Sequence, residues 1–184
     1  MMRNADNDVL LYVSSIKNSE EYICYDFDHE LQIPKEVQFA YTALVTAPYD
    51  RYSGWFDRGL ENLILVEALS RNKIADLVHL ERIIDRSDTN IFIHTNSTIF
   101  VAEHPNAISE TIDMLIYKID NWIPTRENLA RVISTAAAIA KRPDINESHI
   151  SWLMRMSYDK KVRDNLQHNS AVPEELRVAL ALGK

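Results

Sequence analysis

Three stretches of this chain share one grammar. VAEHPNAISETIDML (101–115), IAKRPDINESHISWL (139–153) and LQHNSAVPEELRVAL (166–180) align with His104, Arg142 and Asn169 in register. An apolar residue stands three before each register position (Val101, Ile139, Leu166). Pro105, Pro143 or Ser170 follows it, and Leu115, Leu153 or Leu180 comes eleven after. Ile112 and Ile150 add an apolar position at plus eight; the third copy has Arg177 there and moves the apolar residue to Leu176. LSRNKIADLVHLERI (69–83) fits with Asn72 in register, and DHELQIPKEVQFAY suggests a weaker fifth copy around position 30.

Helix geometry explains the pattern. Positions plus eight and plus eleven lie three apart on one helical face, and the residue at minus three closes the stripe of the helix before. Each copy therefore predicts helix, break, helix. Proline withholds a donor and turns the residue before it away from helical angles. Ser109, Asn146 and Asp76 are the expected caps of the following helices, and Pro173 is expected at the first helical position. The register positions are separated by 42, 32, 38 and 27 residues, so the units are irregular. Units this short cannot bury an apolar face alone and must share a core with their neighbours.

HNSAVPEELRVAL, preceded by SYDKKVRDNLQ, resembles the bacterial leucine-rich repeat variant through Asp159, Val162, Arg163, Asn169, Pro173, Glu174 and Leu176. The resemblance implies an all-α, irregular right-handed α-solenoid of short helix pairs, related to HEAT-like repeats. The family's four-cysteine iron-sulfur module has no counterpart, because Cys24 is the one cysteine.

With 184 residues, 46% of them hydrophobic, the chain fits a single domain, 1–184. Within it, 1–60 would be an N-terminal cap with a weak repeat, and 61–184 the helical repeats. Six of the eight tyrosines fall in that cap, where amphipathic rings suit an exposed end face. Residues 47–59 read as the longest loop, and Thr89–His94 as either a short strand or a buried helical turn. No segment approaches 18 uninterrupted apolar residues and no basic leader opens the chain. A cytoplasmic protein without a membrane partner is expected.

The chemistry-bearing residues assemble no recognised catalytic motif. Asp26, Asp28, His29 and Glu30 crowd together but lack the glycine that bends a calcium loop, so acidic surface is the better reading. The six histidines form no HExxH pair; His104 and His168, at or beside the register position, suit bonds to the backbone at the break. No catalytic, metal or cofactor residue is assigned. The net charge is −7 overall, yet residues 126–184 carry +3. Lys141, Arg142, Arg155, Lys160, Lys161 and Arg163 are the candidate partner-binding residues, a ridge if successive units stack. Trp152 either stacks on a base or belongs to the apolar stripe of Ile150, Leu153 and Met154, and the stripe is favoured. The function expected is binding and modulation of another protein, in the manner of a phage or bacterial accessory factor. The alternative is a nucleic-acid-binding HEAT-like protein resembling an alkylpurine DNA glycosylase.

Overall fold

The computed structural model describes residues 63–86, 96–121 and 126–183, together with Val45. The Tyr-rich cap, the copy around position 30, the 47–59 loop, the Asp26–Glu30 cluster and the Thr89–His94 segment lie outside the described residues. Eight helices are described: α1 (Leu63–Arg71), α2 (Leu77–Arg86), α3 (Ser97–Ala102), α4 (Ser109–Asp120), α5 (Arg126–Ala140), α6 (Glu147–Met154), α7 (Lys160–His168) and α8 (Glu174–Ala181). The described residues are all-helical. Contacts group the chain into two compact units, 1–97 and 98–184.

The helix breaks fall at the register positions. In each of the four described copies the register residue donates its backbone N–H to the carbonyl three before it: Asn72 to Leu69 (3.3 Å), His104 to Val101 (3.2 Å), Arg142 to Ile139 (3.0 Å) and Asn169 to Leu166 (3.3 Å). Those four apolar residues are fully buried. The plus-eleven residues Ile83, Leu115, Leu153 and Leu180 are buried as well, as are Leu80, Ile112 and Ile150 at plus eight. Leu176 and Arg177 are both half-buried, matching the shifted stripe of the last copy. Burial of such a stripe stabilises each helix by roughly 1.5–3 kcal/mol per large side chain, far more than helix propensity supplies.

The next helix is entered four residues after the register position, through different cap chemistries. Asp76 Oδ1 accepts the His79 N–H at 2.9 Å, and Asn146 Oδ1 accepts the His149 N–H at 3.0 Å. Asp76 is held below the usual carboxylate range chiefly by that His79 amide. The expected cap Ser109 is instead the first residue of α4. Ile108 takes the cap position without a side-chain acceptor, and Thr111 Oγ1 turns back to accept the Ile108 N–H at 3.2 Å. Pro173 likewise sits one residue earlier than expected, at the cap of α8 with ψ 141°, since its ring permits the extended angle that a cap requires.

Within residues 98–184 the helices form two parallel sets. In one, Thr98 Oγ1 on α3 meets Thr135 Oγ1 on α5 at 2.7 Å. Asn165 Nδ2 on α7 donates to the Ala137 carbonyl of α5 at 2.8 Å. The run Ala136 to Ala140, alanine apart from Ile139, is buried, and its small side chains let α7 approach α5 closely. In the other set, α6 lies along α4. Asn146 Nδ2 donates to Ser109 Oγ (3.1 Å), His149 Nε2 to Asp113 Oδ1 (2.8 Å) and Trp152 Nε1 to Asp120 Oδ1 (3.2 Å). Contacts that climb both helices together require the two to run in the same direction.

Candidate functional site

The corners between helices hold the densest polar chemistry of residues 98–184. At three of the four register positions the side chain accepts the backbone N–H two residues on: Asn72 Oδ1 from Ile74 (2.9 Å), His104 Nδ1 from Asn106 (3.1 Å) and Asn169 Oδ1 from Ala171 (2.8 Å). An imidazole therefore does at 104 what an amide does at 72 and 169. At the fourth, Arg142 clasps the carboxylate two residues on, with Nε 2.9 Å from Asp144 Oδ1 and Nη2 2.8 Å from Oδ2. That clasp, through the hydrogen bond first, holds the Asp144 carboxyl below its ordinary range.

Two of the register side chains, Arg142 and Asn169, also tie their corners to the one before. Arg142 Nη1 donates to the Ala102 carbonyl at 3.0 Å and to the His104 carbonyl at 3.4 Å, and Nη2 reaches the Ala107 carbonyl at 2.5 Å. Asn169 Nδ2 donates to the carbonyls of Ala140 (2.8 Å) and Arg142 (2.7 Å), the equivalent pair one unit later. Carbonyls at a helix C-terminus lack intrahelical donors and sit at the negative end of the dipole, so a guanidinium or an amide suits them. Between the 104 and 142 corners runs an open groove of about 500 Å³ whose walls include Glu103, Pro105, Lys141 and Pro143.

The structure distributes the six sequence-predicted cations among different tasks. Arg142 is spent internally, and its side chain is only 13% exposed. Arg163 Nη1 donates to the Ser157 carbonyl at 3.3 Å, bracing the turn before α7. Arg155 pairs with Asp120 at 2.8 Å and Lys160 with Asp164 at 2.6 Å, both in the open. The Lys160 hydrogen bond lowers the Asp164 carboxyl. Lys141 and Lys161 are exposed, and neither ammonium pairs with another described residue. Lys141 stands on the groove, whereas Lys161 lies in the first turn of α7.

Trp152 is buried, with its indole N–H on Asp120, and offers no open ring face to a base. His104 bonds the backbone at its break through Nδ1, and His168 Nδ1–H donates to the Asp164 carbonyl at 2.6 Å. His149, 1% exposed, accepts the Asn146 N–H on Nδ1 at 3.3 Å and therefore presents Nε2–H to Asp113. Among the described residues no group of three or more His, Cys, Asp or Glu side chains is placed to hold a metal ion. No described helix is long and apolar enough to cross a membrane.

No protein-family model, curated protein or solved structure matches this chain. The surface is accordingly read from its own chemistry. Tyr117 is 73% exposed and Tyr158 63%, large amphipathic rings held outside the core. Tyr117 lies on the Asp113–Asp120 stripe of α4. Sequence reasoning passed over both rings, although Tyr117 interrupts an apolar spacing at Ile112, Leu115 and Ile119 and is thereby marked as outward-facing.

Proposed function

We propose that this chain is a non-catalytic helical-repeat protein, an irregular right-handed solenoid resembling the leucine-rich repeat variant and HEAT-like families, that binds another protein. The reading rests on one observation above the others: the register side chains Arg142 and Asn169 each reach the same two carbonyl positions of the preceding corner. A recurring unit coupled to its neighbour builds an extended scaffold whose surface is free for recognition. Exposed Tyr117 and Tyr158 supply the kind of side chain that dominates protein interfaces. A protein is favoured over a nucleic acid because Arg142, Arg155, Lys160 and Arg163 are already engaged within the chain and Trp152 is buried.

The test is affinity capture from the native cell with the wild type and a Tyr117→Ala, Tyr158→Ala double variant. A stoichiometric protein recovered by the wild type and lost by the variant is the expected result. Equal recovery by both would reject the tyrosine surface. Failure to recover any protein, with purified chain turning over a substrate, would reject the binding role.

A further inference from the structure

Glu110, Asp113, Tyr117 and Asp120 follow one another along α4 at spacings of three and four, so they share one face of the helix, and all four are exposed. The two aspartates are held from beneath in the same way. Asp113 Oδ1 meets His149 Nε2 at 2.8 Å and the Ser148 hydroxyl at 3.5 Å. Asp120 Oδ1 accepts the Trp152 indole N–H at 3.2 Å and Arg155 Nη2 at 2.8 Å. His149 and Trp152 are buried, and buried donors keep their acceptors, so both carboxylates are pinned in orientation. Among the described residues no donor reaches the Oδ2 of either aspartate.

A carboxylate accepts on both oxygens, and here each keeps one for the solvent side, with the side chains 53% and 50% exposed. Seven helical residues separate the two, about 10 Å along the axis. The Tyr117 ring stands between them, and an aromatic face flanked by carboxylates attracts a cation. Three carboxylates on this face are met by one guanidinium, that of Arg155, which is already on Asp120. Lys118, the other cation of α4, falls outside these spacings and is half-buried. The charge left over is negative.

We propose that this face of α4 binds a basic segment of another protein, its cations seated on the outward oxygens of Asp113 and Asp120 and its stem packed on Tyr117. The inference rests on the reading that the chain binds a protein through its exposed tyrosines, and names the charge of that partner.

The test follows the amide and indole N–H signals of the full chain by NMR as three synthetic peptides are added. One carries two arginines three residues apart, which an extended chain spaces by about 10 Å. In the second both are citrulline, an uncharged isostere, and in the third both are glutamate. Only the arginine peptide should give saturable shifts at Trp152 Nε1–H and at the amides around Tyr117, weakening as salt rises. Asp113→Asn should weaken it about threefold, the worth of an exposed ion pair. Tyr117→Lys, at a position 73% exposed and so without a part in folding, should abolish it. Equal shifts around Tyr117 from the citrulline or glutamate peptide would overturn the basic partner and leave the protein-binding reading standing. No saturable shift from any of the three, or arginine binding that survives Tyr117→Lys, would overturn the site.

Discussion

Arg142 donates to the carbonyl of Ala102, forty residues earlier in the chain, at 3.0 Å, and in doing so joins the corner that ends α5 to the corner that ends α3. Asn169 repeats the reach with a shorter side chain. Two residue types with nothing in common but donors pointed at a helix C-terminus perform one structural task.

Removing the Arg142 donors takes a partner from the Ala102 and Ala107 carbonyls and from the Asp144 carboxylate, while the His104 carbonyl keeps the Ala107 N–H at 3.1 Å. Arg142→Ala should cost about 3 kcal/mol, measured by urea unfolding, since hydrogen bonds to a charged group contribute about 1.5–3 kcal/mol each and do not add. Arg142→Asn should recover part of that loss by imitating Asn169. A substitution to alanine that costs under ~1 kcal/mol would show that water replaces the guanidinium at no penalty.

Asn169→Ala removes two donated bonds and one accepted bond at a buried position, and should destabilise by about 2–3 kcal/mol. Because Asn169 bonds the carbonyl of Arg142 itself, the double variant Arg142→Ala, Asn169→Ala should depart from additivity by more than ~0.5 kcal/mol. Strict additivity in the same urea series would mean that the two corners are independent.

Asp144 brings an acid dependence of its own. Its carboxyl is lowered by Arg142, so the contribution is present above the ordinary carboxylate value near 3.9 and is lost as pH falls through the lower folded value. With the side chain 40% exposed, solvent screening reduces it to about 0.5 kcal/mol. Asp144→Asn should flatten the stability profile by that amount between pH 5 and the acid limit, and an unchanged profile would argue that the pair is slack in solution.

The engaged cations predict weak behaviour towards nucleic acid. Duplex DNA titrated at low salt should show no saturable binding, and Lys160→Glu with Lys161→Glu should change nothing. Steeply salt-dependent binding that the double variant abolishes would restore the nucleic-acid reading.

Apolar spacing is local information, which is why the breaks at 72, 104, 142 and 169 and the burial of Leu69, Val101, Ile139 and Leu166 were legible in the sequence alone. The caps were only partly so. Asp76 and Asn146 announce themselves by type, whereas Ile108 has no acceptor and relies on Thr111 three residues on. The task of Arg142 was hidden for a different reason. A basic residue beside a proline reads as surface charge, and only the return of the chain forty residues on reveals the carbonyls that it faces. Tyr117 and Tyr158 were overlooked because attention to repeats rewards residues that recur, and neither does.

The bonds from Arg142 and Asn169 each span a single step backwards, and this governs how residues 98–184 would yield to force. A tether drawn from the C-terminal side would first strip α8 and the 169 corner, then meet resistance at the guanidinium. The extension trace should be a sawtooth with its tallest tooth where Arg142 lets go, rather than one sudden rupture.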